Sequence, residues 1–392
     1  MLEFSEINED AANTYLVNRK EFCLTNYREV SLLTRNVLRE HLSEWKNKGI
    51  SDVDLVCGGP PCQGYSGIGH RRSFSLDKIE IPSNYLFKEM ARIIRVVKPK
   101  VFLFENVKGL LTSRWTQHGG KGEVFRDVLN TFRSIPGFHV RWQLVSANNY
   151  GVPQNRPRVL VIGVRKDIVD ATLPPPVFEG ESGLIKETAI SDGFLPAPNG
   201  AIPPDPVDLL GDLIDPLYLR KSALTTYVSD ATNDIQKRLR TCSNGHVLEK
   251  GDPITEQHYS RHSERIQRKF KYMINHNGEI PPRYRTKKFA QRVLPLRWPS
   301  SGPNITTTSL PDDFVHFSQP RTLTVREWAR LQTFPDWYEF RGPRTTGGRR
   351  RAGDPNQGIW ERDVPRYTQV GNAVPVMLAK GVGDHIMKIL AK

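Results

Sequence analysis

A single cysteine follows a strand-like run and a tight glycine–proline turn. Residues Gly58 to Ser66 read GGPPCQGYS and come directly after the apolar run Val53 to Cys57. In an open α/β sheet, ligands bind beyond the carboxyl ends of the strands, so Cys62 is placed where chemistry is done. The glycine-rich polar loop is expected to expose its thiol, and an exposed thiol that ionises readily can act as a nucleophile. Cys57, by contrast, is expected to be an inert buried side chain.

A carboxylate and two arginines are predicted at the same edge. Glu105 ends the apolar run that begins at Val101, and Arg156 and Arg158 precede the run Val159 to Val164. Residues two apart in an extended segment share a face. Each feature alone is also typical of an ordinary surface ion pair. Together, these features predict a thiol, a carboxylate that can act as an acid or a hydrogen-bond partner, and two guanidinium groups around one pocket.

Short apolar runs that alternate with amphipathic stretches predict the elements that position these residues. The predicted strands are Val53 to Cys57, Val101 to Phe104 and Val159 to Val164. The predicted helices are Asp10 to Asn18, Tyr85 to Val97 and Val124 to Ile135. Nearly continuous apolar strands separated by helices are typical of a parallel sheet covered on both faces. The predicted fold class is therefore a doubly wound α/β domain.

The composition changes after residue 166. Between Lys166 and Pro206, proline, glycine and acidic residues dominate, which marks a boundary. An irregular region follows to about Pro320, then a predicted helix at Thr324 to Gln332 and a closing helix at Val374 to Leu390. We predict three parts: a main domain at 1–166, a smaller irregular domain at 167–330, and a loop with a C-terminal helix at 331–392 that returns to the main domain.

The composition of the 392 residues excludes several protein classes. The longest apolar runs are far shorter than the ~20 residues that a membrane span requires. The acidic start MLEFSEINED has neither the basic residues nor the apolar stretch of a signal peptide. Four cysteines without a CxxC pair provide neither a disulfide framework nor a zinc ligand set. We therefore expect a cytoplasmic protein that binds neither a membrane nor a metal.

The formal charge of +14 is concentrated in two places. Residues 259–299 contain eleven basic and two acidic residues, interleaved with aromatic ones. A second cluster of five arginines runs from Arg341 to Arg351. Clustered lysine and arginine beside aromatic rings indicate a surface for a polyanion such as nucleic acid. The alternative on charge alone is a solvated face.

Five motifs identify a family. In order, they are GGPPCQGYS, FLFENVKGLL, NNYGVPQNRPR, RTLTVREWARLQTFPDWY and YTQVGNAVP. In order and spacing they resemble the motifs of the C5-cytosine DNA methyltransferases, and the resemblance extends from Leu2 to Leu378. It implies a Rossmann-like methyltransferase domain that uses S-adenosyl-L-methionine, a target-recognition domain at 167–330, and double-stranded DNA as the partner.

The resemblance also implies a role for each predicted catalytic residue. Cys62 would add to C6 of a flipped-out cytosine, so that C5 can take the methyl group. Glu105 would hold the ring N3 and the exocyclic amine and stabilise the adduct by protonation. Arg158 would bind the base O2, and Arg156 and Gln154 would organise that wall of the pocket.

The resemblance divides the DNA contacts among three segments. The implied contacts are Gln63, Ser66, Arg71 and Arg72 on the closing loop, Arg283 and Arg285 in the recognition domain, and Arg349 and Arg350 in the late loop. Arg321, Thr324, Glu327 and Arg330 are expected to organise the recognition domain rather than to react. The target sequence cannot be predicted, because base contacts depend on loop geometry.

The implied cofactor site departs from the family pattern. The family begins with a strand and a Phe-x-Gly-x-Gly turn, whereas Leu2 to Glu6 resembles the family's second strand. The implied cofactor contacts are Glu6, Asn36, Pro61, Asn372 and Ala373; a Gly-Asn pair before a helix is also an ordinary cap. We expect the first strand to come from about 25 to 40 residues upstream or from a complementary subunit.

Three alternatives to a self-sufficient enzyme with a cognate restriction endonuclease stay open at this point. The chain could be a split-enzyme subunit that is silent alone and acts as a DNA-binding partner, or it could methylate RNA, as one branch of the family does. A hydrolytic cysteine enzyme is disfavoured because no histidine accompanies Cys62 in its motif, although His70 lies on the following loop.

Overall fold

A four-stranded mixed sheet lies at the centre of the protein. The computed structural model describes residues 3–61, 79, 81–169, 178–179, 184–285, 291–306, 311–346 and 363–391. The sheet consists of β3 (Leu55–Gly58), β4 (Val101–Val107), β5 (Phe138–Ser146) and β6 (Pro157–Arg165), in the order β3-β4-β6-β5. β3 and β4 are parallel, whereas β6 runs antiparallel to both of its neighbours.

The prediction of an all-parallel sheet was therefore wrong in two respects. β5 was not predicted, and β6 runs in the opposite direction to β4. Only the short segment 147–156 joins β5 to β6, and a parallel crossover needs a dozen or more residues. The chain therefore turns back as an antiparallel pair. Burial on both faces made β6 resemble a parallel strand, because its residues from Arg158 to Val164 are all buried.

Helices cover both faces of this sheet, as the α/β prediction requires. On one face, Phe102 and Phe104 pack against α3 (Leu86–Val97) and α4 (Glu123–Arg133). On the other face, Leu160 and Ile162 pack against the closing helix Val376–Leu390. The predicted helices at these three places are confirmed within two residues at each end.

A second, two-stranded sheet contains the start of the described chain. β1 (Glu3–Phe4) pairs in parallel with β2 (Thr25–Asn26), and α1 (Glu9–Val17) connects them. A further helix, α2 (Arg35–Asn47), packs against α3. Within the described ranges, neither β1 nor β2 pairs with the four-stranded sheet.

The region after residue 184 has a core of its own. Its helices are α5 (Pro206–Leu210), α6 (Asp234–Arg240) and α7 (Glu264–Asn275), and a short parallel pair joins β9 (Arg292–Val293) to β10 (Phe314–Val315). The predicted helix at Thr324 to Gln332 is observed as α8 (Val325–Leu331), which begins with a capping box between Thr324 and Glu327. Trp328 of α8 lies in the same core as Tyr367 of α9 (Arg366–Asn372). The proposed domain boundaries stay a prediction.

The closing helix Val376–Leu390, α10, completes the described chain. Between the sheet and this region, the two short strands β7 (Phe178–Glu179) and β8 (Leu184–Ile185) form one antiparallel pair. Among the helices of the described part, none is long and apolar enough to span a bilayer.

Candidate active site

Glu105 and Arg158 form an ion pair near the carboxyl end of β4. Glu105 Oε1 lies 2.5 Å from Arg158 Nε, and their side chains are 21% and 6% exposed. In the antiparallel register Arg158 lies opposite Val107, so it is the diagonal neighbour of Glu105. Burial raises the pKa of Glu105, and the charges of Arg158 and Arg156 oppose that rise. A carboxyl group held in this way can keep a proton for transfer to a base.

Arg156 and Gln154 fix the segment before β6, next to the Glu105–Arg158 pair. Arg156 is buried, and its Nη2 donates a hydrogen bond to the Gly371 carbonyl. Gln154 is fully buried, and its Nε2 donates to the Leu331 carbonyl at 2.7 Å and to Gln332 Oε1 at 2.8 Å. These bonds attach the segment before β6 to α8 and α9. The predicted pocket residues of this segment therefore lie together, and their hydrogen bonds to the C-terminal helices fix their positions.

The turn that precedes Cys62 contacts Glu105. A Cβ atom at Gly59 would lie 2.9 Å from Glu105 Oε2, so glycine allows the close approach. Asn106 Nδ2 donates to the Pro60 carbonyl at 3.2 Å. The turn thus leads the chain towards the Glu105 pocket. Cys62 itself, with Gln63, Ser66, Arg71 and Arg72, lies outside the described residues, and the predictions for these five residues stay predictions.

Asn106 is a positioning residue that sequence reasoning missed. It is buried, and its side chain joins β4 to the turn before Cys62. Strand alternation places Asn106 on the opposite face from Glu105. A polar side chain at a buried strand position needs a hydrogen-bond partner, and this requirement is the signal that could have identified it.

Cys57 was expected to be buried, and this prediction was wrong. Its side chain is exposed, because β3 is the edge strand of the four-stranded sheet within the described residues. Leu55 on the same strand is exposed as well. The edge strand therefore presents the side chains of Leu55 and Cys57 to solvent.

Glu6 lies just beyond the end of β1. Its Oε1 accepts a hydrogen bond from the Asn8 N–H at 2.8 Å, and its backbone N–H donates to Asn26 Oδ1 at 2.9 Å. Burial raises the pKa of Glu6, and hydrogen bonds from the Asn8 and Ile7 backbone oppose the rise. A carboxylate fixed at a strand end can accept hydrogen bonds from ribose hydroxyls. The residue therefore fits the ribose of an adenosine-containing cofactor.

The other predicted cofactor contacts lie in three places. Asn36 is exposed in the first turn of α2, and Pro61 is exposed at the end of the turn before Cys62. Asn372 is exposed at the end of α9, and the following Ala373 is half-buried. The bond between Arg156 and the neighbouring Gly371 carbonyl brings this last segment beside the Glu105 pocket. The alternative reading of Gly-Asn as the cap of the closing helix is not supported, because Pro375 is the N-cap of α10.

The predicted DNA contacts of the recognition domain are exposed. Arg283 and Arg285 lie on the turn after α7, and the Arg283 guanidinium is 4.8 Å from the centroid of the Tyr284 ring. Arg285 Nε donates to the Ile280 carbonyl at 3.1 Å. Arg349 and Arg350 lie outside the described residues.

The charged residues of the α8 motif are buried and paired. Arg321 contacts Glu327 at 2.6 Å, and Arg330 contacts Asp212 and Asp336 at 2.5 Å each. The Arg321 charge and hydrogen bonds lower the pKa of Glu327 to about 2, against the effect of burial. These contacts agree with the prediction that this motif organises the recognition domain rather than reacts.

Comparison with known proteins gives the family. The model of the C-5 cytosine-specific DNA methylase family matches residues 2–388. The chain belongs to this family. The resemblance inferred from the motifs is thereby confirmed. The chain is a DNA (cytosine-5-)-methyltransferase, and its methyl donor is S-adenosyl-L-methionine, which the family uses.

Several characterised relatives are similar over most of the chain. The type II methyltransferase M.DdeI of Desulfomicrobium norvegicum is 30% identical over 369 residues, covering 92% of this chain and 79% of the relative. The type II methyltransferase M.Bpa9945I of Bacillus paralicheniformis is 32% identical, covering 84% of this chain and 69% of the relative. A solved structure described as a prophage-encoded DNA modification methyltransferase of E. coli has a TM-score of 0.66 at 20% identity, covering 100% of this chain and 93% of that chain. At that identity, the structural likeness supports the fold.

Proposed function

We propose that the chain transfers a methyl group to C5 of a flipped-out cytosine in duplex DNA through a covalent Cys62 adduct. The observation that carries the proposal is the Glu105–Arg158 pair, 2.5 Å apart and in contact with the turn that precedes Cys62. A base inside a duplex cannot reach such a pocket, so the cytosine must leave the stack, at a cost of a few kcal/mol.

Cys62, Glu105 and Arg158 account for addition to the ring and for its reversal. The Cys62 thiolate adds to C6, while Glu105 donates a proton to N3 and Arg158 binds O2. C5 would then accept the methyl group that S-adenosyl-L-methionine supplies, and the neutral thioether would be the leaving group. Loss of the C5 proton to a base, departure of the Cys62 thiolate and return of the N3 proton to Glu105 restore the aromatic ring. Arg156 and Gln154 keep Arg158 in place through their bonds to the C-terminal segments.

Methyl transfer by Cys62 variants tests this proposal. We expect Cys62→Ala to abolish transfer of labelled methyl groups to DNA, whereas the control Cys242→Ala retains it. DNA that contains 5-fluorocytosine should become covalently attached to the wild type, because the fluorinated ring has no C5 proton to lose. Transfer by Cys62→Ala at the wild-type rate would refute the adduct.

The cofactor contacts are proposed from fit as well as from resemblance. S-adenosyl-L-methionine supplies the methyl group when it is bound. Glu6 would bind the ribose hydroxyls. The rest of the cofactor site would be lined by Asn36, Pro61, Asn372 and Ala373. The fixed, partly buried carboxylate of Glu6 supports this assignment. Glu6→Ala should weaken binding of S-adenosyl-L-methionine in calorimetry, whereas Glu9→Ala on the adjacent exposed helix position should not.

We further propose that one more strand joins the two sheets. β1 and β3 each keep an open edge among the described residues. Contacts of Tyr15 in α1 indicate that β1 and β3 are near each other. Its ring lies 4.7 Å from that of Phe4 on β1, and it interacts electrostatically with Cys57 on β3. Open edges with exposed apolar residues such as Leu55 are templates for another strand. A complementary subunit could provide this strand together with the glycine-rich turn.

This second proposal gives the alternative function: a split-enzyme subunit that is silent alone and binds DNA. Methyl transfer by the purified chain, alone and mixed with a polypeptide that carries a strand and a glycine-rich turn, distinguishes the two. Activity only in the mixture would support the split enzyme. Full activity of the chain alone would refute the missing strand.

We also propose that the chain belongs to a restriction-modification system that includes a cognate endonuclease. The type II names of the relatives support this assignment. Bisulfite sequencing of DNA from cells that express the chain should reveal 5-methylcytosine at one recurring sequence. Labelled transfer to tRNA in preference to DNA would favour the RNA alternative.

A further inference from the structure

A groove with aromatic walls lies on the recognition domain. It has a volume of about 440 Å³ and lies between α7 and the turn that follows it. Its lining residues are Arg268, Tyr272, Pro281, Pro282, Arg283 and Tyr284. None of these residues belongs to the Glu105 pocket or to the proposed cofactor contacts. The volume is within the range of about 300–1,000 Å³ that is usual for small-molecule and nucleotide sites.

The aromatic rings of the groove are held in place. The Tyr272 ring stacks on the His276 imidazole, with centroids 3.8 Å apart and an interplanar angle of 7°. Two guanidinium groups lie near the Tyr284 ring, Arg283 at 4.8 Å and Arg265 at 5.4 Å from its centroid. Fixed rings lose little conformational entropy when they bind a ligand, so they are suitable for stacking.

The positive charges of the groove are available to an anion. Arg268 contacts Glu264 at 2.9 Å, but the two side chains are 72% and 84% exposed. An ion pair with this exposure contributes little free energy, so a phosphate can replace the carboxylate. Arg283 is exposed at the opposite side of the groove.

We propose that this groove binds one unpaired nucleotide of the DNA, with the base against Tyr272 and the prolines and the phosphate between Arg268 and Arg283. A duplex backbone would require the arginines alone, whereas aromatic and proline walls match the face of an unstacked base. Base flipping leaves the partner of the target base unpaired. The inference rests on the proposed function only in taking DNA as the substrate.

Binding of a labelled single-stranded 25-mer and of the corresponding duplex tests the groove, because only the single strand offers free bases. Tyr272→Leu should weaken single-strand binding about tenfold or more and change duplex binding about twofold or less. Tyr272→Phe should retain single-strand binding, because the ring remains. Arg268→Ala with Arg283→Ala should weaken binding of both ligands.

The controls separate the groove from folding and from catalysis. Lys237→Ala removes one exposed charge on α6, outside both basic clusters, and should leave single-strand binding unchanged. Circular dichroism reports whether each variant folds. Equal loss of single-strand and duplex binding in folded Tyr272→Leu, no loss of either, or binding of a proline-rich peptide in place of the oligonucleotide would overturn the proposal. Methyl transfer measured on the same preparations tests the catalytic proposal separately, since groove-dependent binding does not require it.

Discussion

Glu105 has the two features that its proposed role as a proton donor to a bound base requires. Its carboxyl group is mostly shielded from water, which raises its pKa, and the charge of the adjacent Arg158 opposes that rise. The motif alone predicts these residue types and their positions. It does not predict the partners behind the pocket, such as Leu331 and Gln332, which bind Gln154, because a hydrogen bond across distant segments leaves no spacing pattern in the sequence.

Replacing Glu105 with Gln should separate hydrogen bonding from proton donation. We expect the methyl-transfer rate of Glu105→Gln to fall about 100-fold or more, since general acid catalysis contributes about 10²–10⁴-fold. Because the pKa of Glu105 is raised, the wild-type rate should fall as pH rises through that pKa, and the variant should lack this decline. Single-turnover methyl transfer across pH is the measurement. Glu89→Gln on α3 is the control, and a variant with the wild-type rate would contradict the assignment.

Helices and strands differed in how well the sequence predicted them. The ends of the five helices that were predicted lie within two residues of the observed ends, because amphipathic spacing and caps are local signals, as at the Thr324 capping box. The direction of β6 was not predicted, since it depends on the short connection from β5. The α8 motif VREWARL contains three charged residues and resembles a surface helix, yet every residue from Val325 to Leu331 is buried. Ion pairs with distant segments offset the free-energy cost of burying these charges. The spacing of residues in the sequence does not reveal such pairs.

His316, beside α8, should make the recognition domain sensitive to acid. Its Nδ1 accepts hydrogen bonds from the Ser318 and Gln319 N–H groups, and its Nε2 lies 3.8 Å from Glu327. Burial and the Arg321 charge lower the pKa of His316 from 6.5 to about 3, although Glu327 opposes the change. The unfolded chain therefore binds the proton that the folded chain excludes between pH 6.5 and 3. The free energy of unfolding should fall by about 1.4 kcal/mol per pH unit as pH decreases through that window.

Urea unfolding at a series of pH values measures this slope. His316→Gln should show a shallower decline between pH 6.5 and 4.5, whatever its overall stability. Below pH 4.5, the unfolded chain also binds a proton at Glu327, whose pKa in the folded chain is only about 2. The free energy of unfolding therefore falls further in this range, and both proteins share that fall. The control His246→Gln changes a histidine whose side chain is 58% exposed and should keep the wild-type slope. A slope that His316→Gln leaves unchanged would contradict the assignment.

Over the whole molecule, the positive charges fall into two structural classes. Arg240, Arg321, Arg326 and Arg330 are buried and hold the recognition domain together. Arg265, Arg268 and Arg283 belong to the first basic cluster and are exposed, as the sequence predicted for a polyanion surface. Net charge alone could not separate the two classes, because a paired arginine and a free one count equally. The exposed class is the one that should govern the salt dependence of DNA binding.

The arginines of the loop after Arg341 test whether exposed arginines govern the salt dependence of DNA binding. The loop is closed at its base by a 2.7 Å hydrogen bond from Thr346 to Asp363, and Tyr367 beyond it donates to the Leu323 carbonyl in the recognition core. The described residues that flank Arg349 to Arg351 in the sequence therefore lie beside the recognition core. Replacing all three with Ala should reduce the slope of log affinity against log salt by up to about 2.7, because each neutralised phosphate contributes about 0.9.

Fluorescence anisotropy with duplex DNA at several salt concentrations gives this slope. The matched control replaces Arg220, Lys221 and Lys237, three exposed basic residues outside both clusters, with Ala. Both triple variants lose the same net charge, so any long-range effect of charge is common to them. A smaller slope in the loop variant alone identifies direct phosphate contacts. Equal slopes in the two variants would mean that the loop acts only through its charge, and the late cluster would then have no place in the DNA interface.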